Sequence, residues 1–372
     1  MFKSLLKDRM LLSLLALSLL IKLFSLNEGW VEEYYTYGVY PFISKLLRIF
    51  FGWIPFSIGD LLYIAAFIFI VIKVWKLLHT LIKRRWKEKF SMQLFSKYLK
   101  LVLWIYIIFN IFWGLNYNRQ GIANQLGLEA KAYTLQELQD LTGILHQRLN
   151  FYAAQIDSVK RARFDNNKTL FAQAVRDYKK IKEIYPFLAY RFSSIKPSLY
   201  GASGKYFGYT GYYNPFTAEA QLKTSIPVFY KPYIANHEIA HQLGYAKENE
   251  ASFISYLVTK NSNSVEFRYS IYYNLYYSAS GRFVRDVVTK PGSKKPIRYI
   301  IHLNKTLHPR IITDLFEAYN YSKTTRNMIS PYMNDAYDIF LKLNNQPKGM
   351  ATYNEVIALL IAYMKKYGKK AI

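Results

Sequence analysis

The chain of 372 residues has no cysteine, few histidines and few acidic side chains. Without cysteine it can form no disulfide and can offer no thiolate to a metal, so a zinc site would have to use histidine and carboxylate ligands. The 24 Asp and Glu residues are outnumbered by 50 Lys and Arg residues, which gives a formal net charge of +26. This excess favours anionic neighbours such as lipid headgroups or acidic envelope polymers, although a merely solvated basic surface has the same composition.

Three apolar segments, at 10–26, 56–74 and 98–114, crowd into the first 115 residues. Each is close to the length that crosses about 30 Å of hydrocarbon. Buried core helices are one alternative, and the first segment alone would suit a signal peptide, but no small-residue cleavage site follows it. We therefore predict an α-helical membrane anchor of three transmembrane helices over residues 1–115.

The placement of Lys and Arg orients these segments. Residues 73–100 carry nine of them, whereas residues 27–55 carry only Lys45 and Arg48. By the positive-inside rule the 73–100 loop is cytoplasmic, which places the domain 116–372 outside. We predict an integral protein of the cytoplasmic membrane with an extracytoplasmic C-terminal domain. Nucleic acid is not an expected partner, because no recognition motif is present.

The segment His237-Glu238-Ile239-Ala240-His241 has the pattern H-E-x-x-H. On a helix this spacing places two imidazoles one turn apart on a single face, within reach of one tetrahedral zinc. Glu238, beside the first of these ligands, can act as the catalytic base on a water molecule. Two structural histidines on an ordinary buried helix are the alternative. The pattern predicts a Zn²⁺ site with His237 and His241 as ligands and Glu238 as the catalytic residue.

A zinc hydrolase needs a third protein ligand, and two glutamates on the next helical segment compete for this role. Gly244 can end the first helix, and a helical pattern resumes at about residue 247. At about 100° per residue, Glu250 falls in an apolar sector and Glu248 in a polar one. The apolar sector holds Ala251, Ile254, Leu257 and Val258, and the polar sector holds Ser252, Ser255 and Thr259. Because a buried carboxylate needs a compensating partner, we predict Glu250 as the third ligand and Glu248 as solvated.

H-E-x-x-H followed on the next helix by Glu-Ala resembles the gluzincin group of zinc metallopeptidases. The third ligand of that group commonly sits in a segment of N-E-A or E-A-D type. The spacing is tighter than in better-studied gluzincins, since eight residues separate His241 from Glu250. The metzincin pattern is incomplete, because Lys247 stands where its third ligand would fall. The three apolar segments, N-P-F-T-A-E-A-Q and H-E-I-A-H-Q-L-G-Y-A-K-E-N-E-A resemble the membrane-anchored domain-of-unknown-function family 3810, which implies no particular substrate.

Residues 193–228 are dense in Gly, Tyr, Thr and Pro and lack helical periodicity, which predicts short strands and turns. Helical patterns cover 134–154, opened by a capping box at Thr134 and Glu137, and 168–185, and they return beyond residue 261. The domain is therefore expected to be mainly α, of α+β type and zincin-like, with a small strand region before the motif. In that resemblance an edge strand holds extended substrate by main-chain hydrogen bonds, for which 211–217 is the candidate and a purely structural hairpin the alternative.

These features predict a membrane-anchored zinc-dependent metallopeptidase that hydrolyses peptide bonds of envelope proteins or peptides. The group that stabilises the oxyanion stays open, because His302, His308 and many tyrosines qualify. An intramembrane protease is disfavoured, since the motif helix is too short and polar to span lipid. The alternative from another class is a non-catalytic envelope protein that keeps a zincin fold for binding or signalling, and the intact Glu238 weighs against it.

Overall fold

The structure, a computed structural model, describes residues 8–82, 92–130, 132–201, 208–288, 294–325 and 327–372. Within these ranges the chain is mostly helical and contains one small sheet of three strands. The prediction of a mainly helical protein with a short strand region is confirmed at this level.

Apolar helices form the first part of the chain, and they are α1 (Arg9–Ser25), α2 (Glu28–Phe51), α3 (Ile58–Ile82) and α4 (Met92–Phe112). Within α3 and α4, the stretches Ile58–Lys76 and Leu94–Phe112 are long and apolar enough to cross a membrane. Only 11% and 17% of these stretches is buried inside the protein. Helices α1 and α2 meet at 97° and make a third span if the bent pair is counted as one. Because so much exposed apolar surface is unfavourable in water, this part is consistent with membrane association.

Helix α2 covers most of residues 27–55, for which the sequence predicts only a connection between the first two apolar segments. Asn27 caps its start by accepting a hydrogen bond from Trp30 N at 3.0 Å. Its middle section, Val31–Val39, is π-helical, and Pro41 lies in the first turn of the following α-helical section, where proline is tolerated. One face of that section is buried, including Tyr40 and Ser44. Gly38 and Pro41 interrupt the helical pattern in the sequence, and the helix gains its stability from packing on the rest of the protein.

Helices α1 and α4 lie side by side and run in the same direction. Near their N-terminal ends, Asp8 Oδ2 accepts hydrogen bonds from Lys100 Nζ at 2.7 Å and from Ser96 Oγ at 2.9 Å. Near the C-terminal end of α4, the Tyr35 hydroxyl donates to the carbonyl of Ile111 at 3.0 Å. The segment 73–100, predicted as a basic loop, is helical where it is described, because its first ten residues end α3 and its last nine begin α4. Its residues 83–91 lie outside the described ranges.

Helices also dominate the second part. Before the sheet come α5 (Ile122–Gln125), α6 (Leu135–Ala153), α7 (Ser158–Ala162) and α8 (Asn167–Ile181). After it come α9 (Lys231–Gln242), α10 (Glu248–Lys260), α11 (Val265–Val288), α12 (Lys294–Lys305), α13 (Pro309–Thr325), α14 (Ser330–Leu343) and α15 (Val356–Tyr367). The predicted capping box opens α6, with Thr134 Oγ1 accepting from Glu137 N at 3.2 Å and Glu137 Oε2 accepting from Thr134 N at 2.7 Å.

The three strands lie in the region predicted for strands and turns. They are β1 (Ile195–Pro197), β2 (Gly211–Asn214) and β3 (Glu219–Leu222), in the spatial order β1-β3-β2. Strand β3 pairs in parallel with β1 and antiparallel with β2, with Gly211 opposite Leu222 and Asn214 opposite Glu219. Among the described residues β2 is thus an edge strand, within the segment 211–217 that was proposed for this role.

Helix α9 carries the H-E-x-x-H motif and is called the motif helix below. Pro232 lies in its first turn, as its sequence position suggests. Gly244, with φ of +89°, takes the left-handed conformation that ends it. Gln242 Nε2 donates to the carbonyls of Ser194 at 2.6 Å and Ala218 at 2.7 Å. These buried hydrogen bonds hold the motif helix against the sheet, and α8, α10 and α11 pack around it.

Candidate metal centre

His237 and His241 lie one turn apart on the motif helix with their ring centroids 4.8 Å apart. The carboxylate of Glu248, the first residue of α10, lies between them. Its Oε2 is 3.0 Å from His237 Nε2 and 3.5 Å from His241 Nε2. In the described part of the chain, these three buried residues form a group of possible metal ligands whose donor atoms all lie within 4.8 Å of one another.

The other ring nitrogen of each histidine is held by a neighbour. His241 Nδ1 is 2.7 Å from the carbonyl oxygen of Tyr245, and His237 Nδ1 is 3.3 Å from Ser252 Oγ. A carbonyl can only accept, so His241 must donate from Nδ1, which leaves Nε2 as the nitrogen that faces Glu248. Metal-binding histidines are typically oriented by such contacts.

The structure departs from the predicted position of the third candidate ligand, because Glu248 and not Glu250 lies with the histidines. Helix α10 begins at Glu248, so the two glutamates lie about 200° apart around its axis. The sequence analysis assumed that the polar side of this helix faces solvent. It faces the motif helix instead, where Ser255 Oγ donates to the carbonyl of Tyr233 at 2.8 Å. Helix α10 is buried on all sides, and Glu248 is only 3% exposed.

Glu250 occupies a different buried site, against Gly121 at the start of α5. Gly121 has φ of +84°, and a Cβ atom on it would overlap Glu250 Oε1. Burial raises the pKa of Glu250, although Lys247 and Arg119 oppose the shift. Arg119 itself pairs with Glu32, with Nη2 donating to Oε1 at 2.7 Å. The reasoning that Glu250 is buried was therefore correct, but its surroundings are the chain entering α5 and this ion pair.

Glu238 is buried beside the histidines and next to the edge strand β2. It is 5% exposed, and its Oε2 has no hydrogen-bond partner among the described residues. Gly211 of β2 approaches so closely that a Cβ atom there would lie 2.7 Å from Glu238 Oε1. The motif glutamate thus has a free oxygen at the point where the sheet edge meets the two imidazoles.

Burial and mutual charge shift the pKa values of these residues. Burial raises the pKa of Glu238 to about 8. Burial alone would lower the pKa of His241, but the carboxylates of Glu248 and Glu238 outweigh it and raise the pKa to about 9. Burial would raise the pKa of Glu248, yet the two histidines hold it well below its usual range. The negative charge of Glu248 is therefore balanced by the histidines beside it, and a divalent cation bound here would displace a proton from them.

The donor set fits a metal of this kind. Two imidazole nitrogens and one carboxylate oxygen are one set of three protein ligands found in catalytic zinc sites. Such sites keep the fourth coordination position open for water or substrate. The free oxygen of Glu238 is a buried acceptor that the surrounding described residues leave unused. His237, His241 and Glu248 could therefore hold zinc.

Two tyrosines from the C-terminal helices complete the surroundings of the site. The Tyr337 hydroxyl, from α14, donates to Glu248 Oε1 at 2.6 Å. Tyr353, from the turn before α15, stacks on the His237 ring with 6.0 Å between centroids. His302 and His308, proposed as alternatives, lie instead beside residues of α6. Among 35 tyrosines no sequence signal distinguishes these two.

Aromatic residues from the membrane part form another wall. The ring of Trp113, which directly follows α4, lies 6.1 Å from that of His241. The Tyr40 hydroxyl of α2 donates to the carbonyl of Gln242 at 3.0 Å and contacts the Tyr213 hydroxyl at 3.2 Å. Periodicity within single segments does not predict these contacts, because they join the motif helix to residues more than 120 positions earlier in the chain.

Comparison with known proteins adds one match. A family model described as a protein of unknown function, DUF3810, covers residues 35–361. No curated protein and no solved structure matches the chain.

Proposed function

The chain belongs to the DUF3810 family of proteins of unknown function, and we propose that it is a membrane-anchored zinc-dependent metallopeptidase. One arrangement carries this proposal. His237, His241 and Glu248 converge on one point, while Glu238 lies beside them with a free oxygen and faces the edge strand β2.

Each residue of the site would have a distinct task. His237, His241 and Glu248 would hold zinc, which when bound supplies a water nucleophile at neutral pH and polarises the carbonyl of the substrate. Glu238 would take a proton from the attacking water and return it to the leaving amine. Its unused oxygen leaves it free for both transfers.

The edge strand supports a polypeptide as the substrate. Strand β2 has its main-chain groups on one side engaged by β3, so those on the other side can pair with an extended peptide. Gly211 lets such a peptide pass close to Glu238, because the strand has no side chain at that point. A peptide bound in this way would present its carbonyls to the group formed by His237, His241 and Glu248.

Tyr337 and Tyr353 are the hydroxyl donors best placed to stabilise the oxyanion that forms during hydrolysis. Tyr337 already contacts Glu248, and Tyr353 lies over the ring of His237. A donor at such a position typically contributes about 10²–10³ in kcat.

We further propose that the domain lies outside the cytoplasmic membrane. The proposal rests on the nine Lys and Arg residues of 73–100, which the positive-inside rule places in the cytoplasm. The contacts of Asp8 with the first turns of α4 support it, since three successive spans require α1 and α4 to begin on the same side of the membrane.

The full-length protein should be purified in detergent, because α2 packs on the motif helix and truncation at residue 116 would remove it. We expect about one zinc per chain and zinc-dependent cleavage of a pool of quenched fluorescent peptides. Glu238→Gln should keep the zinc and lose the cleavage. A His237→Ala, His241→Ala variant with full zinc occupancy would contradict the proposed site. Zinc without any hydrolysis would favour the non-catalytic alternative.

A further inference from the structure

The candidate metal centre lies against the ends of the apolar spans. Trp113, the residue after α4, has its ring 6.1 Å from His241 and 4.6 Å from Tyr213 of the edge strand. At the start of α3, the main-chain N–H of Gly59 donates to the carboxylate of Glu219, in β3, at 2.7 Å. Only the ring of Trp113 therefore separates His241, one of the possible zinc ligands, from the end of the span in α4.

The edge strand runs between the ends of two spans. Tyr212 stacks on Tyr63 of α3 with 6.3 Å between centroids, and the next residue, Tyr213, packs on Trp113 beyond α4. Tyrosine and tryptophan are the residues enriched at the lipid–water boundary. Strand β2 is therefore at the depth of that boundary, and a peptide paired with it would be there too.

Helix α14 extends this apolar surface beside the site. Its residues 332, 339 and 343 fall on one stripe, since they are spaced by seven and four positions. Tyr332, Ile339 and Leu343 on this stripe are 75%, 57% and 81% exposed. The free energy falls when apolar side chains of this size leave water. This face is therefore more stable when something apolar covers it. Asp338, which pairs with Lys342 at 2.7 Å, lies about 100° or more around the helix from each of these three residues.

The same helix connects the span to the site. Phe340 packs edge-on against Phe109 within the span Leu94–Phe112, with 6.2 Å between centroids. One turn earlier, Tyr337 donates its hydrogen bond to Glu248. Helix α14 thus packs beside a lipid-facing span and leaves its apolar stripe exposed next to it, and a lipid bilayer is the cover that fits this position.

We propose that the peptidase proposed above acts on the membrane-proximal segments of proteins anchored in the same bilayer. A protein with its own span holds the residues next to that span at the depth of β2, where they can pair with the strand in extended form. A free peptide must find the same site by diffusion from bulk water, and a folded soluble protein must first unfold a segment. Anchoring raises the effective concentration of the cleavable segment at the site.

A cleavage experiment tests this substrate class. The full-length protein is reconstituted in vesicles of phosphatidylcholine and phosphatidylglycerol with a single transmembrane helix that carries a randomised extended segment. The segment follows the helix either after about 5 or after about 40 flexible residues, and the same segment is also supplied as a free peptide. We expect the short-linker substrate to be cleaved at least about tenfold faster than either of the others.

The outcomes separate the two proposals. Equal cleavage of the free and the anchored segments would overturn the substrate class and leave the peptidase standing. If none of the substrates were cleaved by the zinc-loaded protein, with Glu238→Gln as the baseline, both the peptidase and the substrate class would fall.

A labelling experiment tests the position of α14 without relying on activity. Because the chain has no cysteine, Leu343→Cys and Asn334→Cys each create a single site for a nitroxide label. In the same vesicles, we expect the label at residue 343 to be protected from a water-soluble relaxation agent and accessible to oxygen. The label at residue 334, which is exposed on the opposite side of the helix, should behave in the opposite way. Equal exposure of both labels to the water-soluble agent would overturn the proposal.

Discussion

Replacing Glu248 by glutamine tests the corrected metal site most directly. The change keeps the shape of the side chain and removes a charge that lies 3.0 Å and 3.5 Å from the Nε2 atoms of His237 and His241. Removing one partner of a buried charge pair costs about 3–5 kcal/mol. Since about 1.4 kcal/mol corresponds to a factor of ten in a binding constant, a loss of this size in zinc binding would lower the affinity by about two to three and a half powers of ten.

Glu250→Gln is the matched control, because it makes the same chemical change two residues away. Glu250 belongs to the surroundings of Gly121, and Arg119 keeps its hydrogen bond to Glu32 at 2.7 Å when Glu250 is changed. We expect zinc affinity to change by less than about a factor of two. The free energy of unfolding should change by about 1 kcal/mol or less, since the raised pKa of Glu250 already reflects a reluctance to carry charge there.

The assay compares the two variants and the unchanged protein in detergent. Zinc occupancy is measured by mass spectrometry of the metal after competition with a chelator of known affinity, and thermal unfolding is followed on the same samples. Zinc loss confined to Glu250→Gln would refute the assignment of Glu248 and would favour Glu250, the ligand predicted from the sequence. Equal loss in both variants, together with lowered unfolding temperatures, would show a general effect on folding.

Four further outcomes are expected. Glu238→Gln should abolish peptide hydrolysis and leave zinc occupancy unchanged, and retained activity would remove its role as base. Gly211→Ala should lower activity about tenfold or more at full zinc occupancy, because the new Cβ atom would lie 2.7 Å from Glu238 Oε1; unchanged kinetics would show that the strand yields. Tyr337→Phe should lower kcat by about 10²-fold and weaken zinc binding by less than about tenfold. If zinc binding weakened and kcat at full zinc occupancy did not change, Tyr337 would serve only to orient Glu248. A reporter fused after Ile372 should be active outside the membrane and one fused near Lys89 inside, and the reverse pattern would place the domain in the cytoplasm.

Features that depend on neighbouring residues were predicted well. The capping box of Thr134 and Glu137, the end of the motif helix at Gly244 and the return of helices beyond residue 261 agree with the structure. Two of the predicted apolar segments are long helices in the structure. They could be recognised for the same reason, because mean hydropathy depends only on residues that are close in sequence. Caps, glycine conformations and helical periods arise from interactions within about one or two turns.

The error at Glu248 shows where local reasoning fails. Helical periodicity correctly separated the two faces of α10, and it correctly placed Glu250 among buried residues. It could not show that the polar face is buried too, because the motif helix satisfies its side chains with hydrogen bonds such as the one from Ser255 to Tyr233. A polar stripe on a helix predicts a solvent-exposed face only when no neighbouring element covers it with hydrogen-bonding groups of its own.

The sequence by itself determined the pair His237 and His241, with Glu238 beside them, because the pitch of one helix sets their spacing. Whether they bind zinc stays a prediction. Only the tertiary structure decided that Glu248 joins the histidines, that Tyr337 and Tyr353 reach the site, and that Trp113 brings it to the ends of the spans. Those contacts join residues up to 128 positions apart on helices packed from different directions. Their geometry follows from how whole helices pack together, which no periodicity within a single segment encodes.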